Sequence, residues 1–214
     1  MKKVLLTLFS LLFLFSCWND EIVKNTSKTE VKTNYKILAL WDSITAWYNL
    51  DINDSYPSQL EDILIKNWYK YEITNAWVSW DTSKNLLSRI NIYKEDYDIV
   101  LLNIWWNDWL RSINLKDLKT NIQKIINKFS NSKIVLFSID LPANYGSRYR
   151  KELNEIYNQI NEENNIYFYW LFFEWLNYNN DFLSDWLHPN KWWYKIISEN
   201  IYSYLLKNKL IKND

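Results

Sequence analysis

The chain has 214 residues, with 25 basic and 25 acidic side chains that give a formal net charge of zero at pH 7. This balance gives no reason to expect a nucleic-acid partner, because such partners select basic surfaces. The single cysteine excludes a disulfide within the chain, and one cysteine with one histidine makes no zinc-binding pattern. We therefore expect no metal and no other cofactor, in a chain long enough for one domain with a full hydrophobic core.

Predicted strands and helices alternate along the chain. Short apolar runs predict strands at 35–40, 69–74, 97–103, 133–139 and 166–169. Apolar residues at helical spacing predict helices at 57–67, 82–92, 115–129, 149–163 and 193–207, and loops are expected at 104–111 and 142–148. The alternation predicts a three-layer α/β/α sandwich around a parallel sheet of about five strands. Functional residues are expected in the loops after the first three strands, since sites in such sheets form at the carboxyl ends of strands.

Residues 1–34 differ in character from the rest of the chain. Lys2 and Lys3 precede an apolar run that is too short for a membrane span, and this predicts a signal peptide over 1–16. The ending Leu-Phe-Ser-Cys resembles a bacterial lipobox, so Cys17 is the predicted lipidation site. The alternative is a plain cleaved signal with an incidental cysteine. A polar tether is expected over 17–34 and one domain over 35–210. We expect an exported protein, lipid-anchored on the extracytoplasmic side or otherwise secreted or periplasmic.

Tryptophan and glycine occur in unusual numbers, 14 and one. Ordinary proteins contain about 7% glycine, so roughly 15 glycines would be expected in a chain of this length. The missing glycines match the surplus tryptophans in number, and the pairs at 67–68, 105–106 and 192–193 stand where turns are expected. We predict that UGA codons encode glycine at the tryptophan positions, and that Gly146 comes from an ordinary glycine codon. The alternative is a genuine tryptophan-rich protein whose aromatic clusters contact sugars or a membrane.

Three polar residues form a candidate catalytic triad. A serine nucleophile needs a base that takes its proton and an acid that orients the base. His188 is the only histidine, Asp185 lies three residues before it, and Ser43 follows the first predicted strand. Asn107 and the backbone N–H groups of Ser43 and Trp80 can donate to an oxyanion, where each donor is worth about 3–4 kcal/mol. Position 80 favours glycine, because a substrate carbonyl must approach that backbone closely.

Four stretches carry a family resemblance once glycine is read for tryptophan. They become G-D-S-I-T-A-G-Y from residue 41, N-A-G-V-S-G-D-T-S from 75, L-N-I-G-G-N-D-G-L-R from 102 and D-G-L-H-P-N from 185. In this order they resemble blocks I, II, III and V of the SGNH, or GDSL, hydrolases. The resemblance implies a flavodoxin-like SGNH fold and a serine esterase that forms an acyl-enzyme on Ser43, with His188 and Asp185 as partners. It places Ser43, Trp80 and Asn107 in the oxyanion hole.

The chain departs from this family pattern by tryptophan at glycine positions, which are 41, 47, 77, 80, 105, 106, 109 and 186. Genuine tryptophans at 80, 105 and 106 are expected to block the oxyanion hole. Two further stretches, 141–149 and 172–175, resemble the secreted acyl-CoA thioesterase, lysophospholipase and arylesterase branch. In that branch Asn144, Tyr145 and Gly146 would border the acyl pocket.

The expected partners are small substrates, namely short- to medium-chain acyl esters, lysophospholipids or acyl thioesters. The chain is expected to act as a monomer and to reach a membrane only through its lipid anchor. The alternative within enzymes is a carbohydrate O-acetyl esterase. The alternative of another class is a non-catalytic, aromatic-rich surface binding protein, in which the tryptophans are genuine.

Overall fold

A parallel sheet forms the centre of the domain. The computed structural model describes residues 35–41, 51–94, 96–138, 147–169 and 190–213. They belong to the second of two compact units, Val31–Asp214, and the first, Met1–Glu30, lies outside the described residues. The strands are β1 (Tyr35–Leu40), β2 (Tyr71–Asn75), β3 (Ile99–Leu102), β4 (Lys133–Phe137) and β5 (Tyr167–Tyr169). They pair in parallel in the order β2-β1-β3-β4-β5, which confirms the predicted five-stranded parallel sheet.

The three central strands are covered on both faces. Every residue of β3 is buried, as are the last four residues of β1 and of β4. Successive side chains of a strand point to opposite faces of the sheet. Full burial therefore requires a layer of structure on each side. Buried parallel strands have continuous apolar sequences for this reason, and that pattern is what located them in the sequence.

Helices supply the two outer layers. They are α1 (Tyr56–Lys66), α2 (Ser83–Arg89), α3 (Trp106–Leu110), α4 (Leu115–Lys128), α5 (Ser147–Glu163) and α6 (Lys191–Lys207), with short 3-10 turns at Ile52–Asp54 and Ile90–Ile92. Helix α1 packs against α6, and both α2 and α5 pack against α4. The predicted α/β/α sandwich is thus confirmed. No helix within the described ranges is long and apolar enough to cross a membrane.

Some helix boundaries differ from the predicted ones. Helix α3 lies in a stretch that was predicted to be a loop. The helix was not detected because five residues are too few to show a helical period. Helices α5 and α6 begin earlier than predicted, at Ser147 and Lys191. Asn190 caps α6, and its side-chain oxygen accepts the N–H of Trp193 at 3.0 Å. Trp192 and Trp193 therefore lie in the first turn of α6, and the expectation of a turn at this pair is wrong.

Helix α1 ends in a backbone conformation that favours glycine. The N–H of Trp68 donates to the carbonyl of Ile65 at 3.0 Å, and the N–H of Tyr69 donates to the carbonyl of Leu64 at 2.9 Å. These are the two hydrogen bonds of a Schellman motif. The φ angle of Trp68 is 67°. This left-handed conformation costs a residue with a Cβ atom about 1–2 kcal/mol.

Candidate active site

Most of the predicted site residues lie outside the described part of the chain, so their roles stay predictions. These residues are Ser43, Asp185, His188, Cys17, Asn144, Tyr145 and Gly146. The structure describes the two remaining ones, Trp80 and Asn107, and the end of the strand that precedes Ser43.

The segments that follow β2 and β3 flank the end of β1 at the carboxyl edge of the sheet. The N–H of Ala76, just after β2, donates to the carbonyl of Ala39 at 3.0 Å. The N–H of Asn103, just after β3, donates to the carbonyl of Leu40 at 3.0 Å. Trp41, two residues before Ser43, thus leaves β1 between these two segments. This is the edge at which ligands bind in open parallel sheets.

The structure brings Trp80 and Asn107 to neighbouring positions on this edge. Trp80 belongs to the loop of residues 76–82, which follows β2. The Asn107 Nδ2 atom donates to the carbonyl of Asp81, the next residue in that loop, at 3.0 Å. The Arg111 Nη2 atom donates to the carbonyl of Trp80 at 3.0 Å. Two side chains from the region of α3 thus hold two consecutive peptide groups of the loop.

The two candidate oxyanion donors that the structure describes each keep an N–H group for a further acceptor. The backbone N–H of Trp80 donates to no acceptor among the described residues. A side-chain amide carries two N–H donors, and the bond to Asp81 uses one of those on Asn107 and fixes the plane of its amide. The φ angle of Trp80 is 66°, in the region that favours glycine. The backbone at this position therefore has a conformation that suits the glycine of the family pattern.

A buried carboxylate next to Asn107 fixes α3 in place. Asp108 is fully buried. Its two oxygens accept the backbone N–H of Ser83 at 2.7 Å and the Ser83 hydroxyl at 2.6 Å. The Asn121 Nδ2 atom donates to the same hydroxyl oxygen at 2.9 Å. Burial raises the pKa of Asp108, and the hydrogen bonds from Ser83 oppose that rise. This network joins α2, α3 and α4 beneath the site.

Sequence reasoning missed Asp108 and Ser83, and also the ion pair between Asp81 and Arg89. Asp81, Ser83 and Asp108 all lie inside the two family blocks that contain Trp80 and Asn107. Their place beside predicted site residues was therefore a usable signal. Their partners were not predictable, because Ser83 and Asp108 stand 25 residues apart in the chain.

Several tryptophans beside the strand ends pack into the core. Trp41 is fully buried, and its ring centroid lies 5.1 Å from that of Phe137. Trp105 is also fully buried, and its ring lies 5.3 Å from that of Trp106. The indole N–H of Trp105 has no acceptor among the described residues, and an unpaired buried donor costs about 1–3 kcal/mol. Of the three tryptophans expected to block the oxyanion hole, two are thus buried, whereas Trp80 is 56% exposed.

Among the residues that the structure describes, neither a metal-binding cluster nor the cavity described next forms part of the candidate active site. Within the described ranges, no cluster of three histidine, cysteine, aspartate or glutamate side chains could hold a metal ion. A cavity of about 600 Å³ opens at the opposite, amino edge of the sheet, where Asp98 and Lys133 form part of its wall. That cavity is separate from the candidate active site.

The fold matches the structures of several esterases. The psychrotrophic esterase EstA from a Pseudoalteromonas species superposes with a TM-score of 0.76 and 28% identity, covering 82% of this chain and 99% of that one. TesA superposes with a TM-score of 0.72 and 26% identity, covering 79% and 97%. AlinE4, an SGNH-hydrolase family esterase, superposes with a TM-score of 0.66 and 27% identity, covering 82% and 94%. The fold is that of the SGNH hydrolases.

Sequence comparison gives the family. Residues 39–196 match the GDSL-like Lipase/Acylhydrolase family. The arylesterase of Vibrio mimicus is 31% identical over 178 residues, which cover 81% of this chain and 89% of that protein. The thioesterase 1/protease 1/lysophospholipase L1 of Escherichia coli strain K12 is 29% identical over 161 residues, covering 72% and 76%. The chain belongs to the GDSL-like lipase/acylhydrolase family, which confirms the resemblance carried by the four blocks.

Proposed function

We propose that the chain is a serine esterase that hydrolyses carboxylic ester or thioester bonds through an acyl-enzyme formed on Ser43. The observation that carries this proposal is the family match over residues 39–196, which spans Ser43, Asp185 and His188. As substrates we propose short- to medium-chain acyl esters, lysophospholipids or acyl thioesters, and the names of two relatives, arylesterase and thioesterase/lysophospholipase, support these classes of ester and thioester.

The mechanism has two steps that use the same groups. His188 takes the proton of Ser43 Oγ while that oxygen attacks the substrate carbonyl carbon, and Asp185 orients the imidazole. The oxyanion of the tetrahedral intermediate accepts hydrogen bonds from the backbone of residues 43 and 80 and from Asn107. The intermediate collapses and releases the alcohol or thiol, which His188 protonates. Water, deprotonated by His188, then attacks the acyl-enzyme carbonyl carbon. The bond to Ser43 Oγ breaks, His188 returns the proton to that oxygen, and the acid leaves.

The geometry of the described donors supports the stabilisation of the oxyanion in this mechanism. Asn107 is 1% exposed, and its amide is already oriented by the bond to the carbonyl of Asp81. A donor that is held in place before the reaction need not reorganise as charge develops on the substrate oxygen. Low exposure also keeps water from competing for that donor.

Substitution of Ser43 tests the assignment. Ser43→Ala should abolish both hydrolysis of p-nitrophenyl butyrate and covalent labelling by a fluorophosphonate probe. Ser203→Ala is the matched control, because Ser203 is exposed on α6 and its hydroxyl donates to the carbonyl of Glu199. The control should keep turnover and labelling. Turnover that persists in Ser43→Ala would refute the assignment.

The length of the acyl chain identifies the substrate class. Turnover of octanoyl esters would fit the lysophospholipase and thioesterase relatives. Turnover confined to acetyl esters would place the chain with carbohydrate O-acetyl esterases instead. Both profiles are measured on the purified full chain with the same series of p-nitrophenyl esters.

Glycine stands in the native protein at the positions written as tryptophan. This part of the proposal is supported by two tryptophans in the left-handed region, Trp68 at φ 67° and Trp80 at φ 66°. The unpaired buried indole N–H of Trp105 supports it as well. Glycine would remove each of these costs. Peptide sequencing of the native protein by mass spectrometry reads these residues directly, and tryptophan in the peptides would refute the proposal.

Residues 1–16 export the protein, Cys17 carries the lipid, and 17–34 tether the catalytic domain of 35–210. The support is the order of a basic start, a short apolar run and a cysteine. Cys17→Ser should move the monomeric enzyme from the membrane fraction to the soluble fraction. Unchanged membrane association would contradict lipidation at Cys17.

A further inference from the structure

An ion pair between Asp81 and Arg89 lies beside the candidate oxyanion hole. The Arg89 Nε and Asp81 Oδ2 atoms are 2.6 Å apart, and the two side chains are only 17% and 8% exposed. Charge-assisted hydrogen bonds of this kind are short and hold their geometry well. Exposed pairs are weaker, because water and salt screen them. This pair is therefore able to fix the position of the loop that contains Asp81.

The guanidinium of Arg89 contacts both ends of the 76–82 loop. Besides its bond to Asp81, its Nη2 atom donates to the carbonyl of Ala76 at 2.9 Å. Its Nη1 atom donates to the hydroxyl of Tyr93. The planar guanidinium presents its donors in fixed directions, which the single ammonium of a lysine cannot reproduce. Arg89 thus ties the beginning and the end of the loop to one rigid group.

The contacts of Arg89 with the 76–82 loop form a clamp, and Asp81 connects this clamp to the two described candidate donors, the N–H of residue 80 and the amide of Asn107. Its carboxylate accepts from Arg89, and its carbonyl accepts from Asn107 Nδ2 at 3.0 Å. Its peptide nitrogen is bonded to the carbonyl carbon of residue 80, the residue whose N–H is the other donor. A displacement of Asp81 would therefore move the backbone donor and release the Asn107 amide at the same time.

We propose that Asp81 and Arg89 are positioning residues of the oxyanion hole, which hold the backbone N–H of residue 80 and the amide of Asn107 in the donating geometry. This inference rests on the proposed esterase function. The two residues act through the loop and not on the substrate itself. Interactions that strengthen only in the transition state raise kcat, whereas uniform binding of substrate changes KM. Loss of the clamp should therefore appear in kcat.

The test measures kcat and KM for p-nitrophenyl butyrate on the full chain, in the tryptophan or glycine form that peptide sequencing identifies. Arg89→Gln should lower kcat by about 10- to 100-fold and change KM by less than about threefold. Asp81→Asn keeps the carbonyl that Asn107 uses but loses the charge, and kcat should fall in the same direction. Arg89→Lys should recover part of kcat, because lysine keeps the pairing with Asp81.

Lys119→Gln is the matched control. It removes another ion pair of 2.6 Å, between Lys119 and Glu163 on α4 and α5, away from the loop. Its kcat should equal that of the parent. Every variant is assayed well below its melting temperature, so that a general loss of stability does not appear as a loss of kcat. If Arg89→Gln fails to fold, the kcat values of Arg89→Lys and Asp81→Asn decide the test.

The possible outcomes separate this inference from the function on which it rests. If the parent chain is active, values of kcat within about twofold of the parent for the Asp81 and Arg89 variants would overturn the positioning role alone. A change confined to KM would overturn it as well. A parent chain without turnover or fluorophosphonate labelling would overturn the esterase function and this inference together. A fall in kcat with partial rescue by lysine supports the positioning role.

Discussion

Replacement of Trp68 by glycine should stabilise the tryptophan form of the chain. Trp68 occupies the left-handed position that ends α1, with a φ of 67°. Removal of its Cβ atom relieves about 1–2 kcal/mol. The greater freedom of glycine in the unfolded chain opposes this by about 0.4–1 kcal/mol. The side chain is 85% exposed, so little packing is lost. The midpoints of these two ranges give a net gain in the free energy of unfolding of about 0.8 kcal/mol.

Thermal unfolding of the full chain, followed by far-UV circular dichroism, measures this gain. For a chain of this size, 1 kcal/mol corresponds to about 2–4 °C, so Tm should rise by about 1–4 °C. Lys209→Gly is a matched variant, because Lys209 has a φ of 53° at the same position after α6, and its Tm should also rise. Trp192→Gly removes an indole that is 62% exposed from the first turn of α6, and its Tm should fall.

The contrast between these variants decides the cause. Trp68→Ala keeps the Cβ atom and should leave Tm close to that of the parent. A fall in Tm for Trp68→Gly would refute the reasoning. An equal rise for Trp192→Gly would do the same, because loss of an exposed indole, and not the backbone conformation, would then explain the change.

Two further predictions concern buried groups near the site. Burial raises the pKa of Asp108, so the folded chain binds this proton more tightly than the unfolded chain does. The resulting contribution to stability is present at acid pH and is lost as the pH rises through the raised pKa. As the pH rises from acid to neutral, the stability of Asp108→Asn relative to the parent should therefore increase, as measured by urea unfolding. A difference in the free energy of unfolding that stays constant with pH would contradict this. Tyr149→Phe should keep stability or raise it by up to about 1 kcal/mol, because the buried Tyr149 hydroxyl has no partner among the described residues. Burial and the nearby Asp108 raise the pKa of Tyr149 to about 12, and a spectrophotometric titration of the variant should lack one tyrosine that ionises there.

The sequence alone determined the class of fold. Continuous apolar runs such as Ile99–Leu102 indicate burial on both faces of the sheet. This pattern is local and does not depend on which strands pair with each other. The period of the helices was equally local, and α4, with Leu118, Ile122, Ile125 and Ile126 buried, lies close to its predicted span. The short helix α3 was not predicted, because a single helical turn is too short to show a period.

All three candidate oxyanion donors were predicted from the sequence, and two of them lie among the described residues. Trp80 and Asn107 were predicted from their places after two strands and from the resemblance of the two blocks that contain them, and the described structure holds them together through the carbonyl of Asp81. The backbone conformation of residue 80 explains why the family pattern has glycine at that position, since its φ of 66° suits a residue without a Cβ atom.

Only the tertiary structure decided which polar groups pair. Asp108 accepts from Ser83 across 25 residues, and Arg89 reaches back to the carbonyl of Ala76 across 13. Charged and amide side chains carry no periodic signal of their partners, because the same residue types also cover the solvent-exposed surface. Their pairing depends on where α2 and α3 come to rest against the sheet. That placement is a property of the packed layers and of no single stretch of sequence.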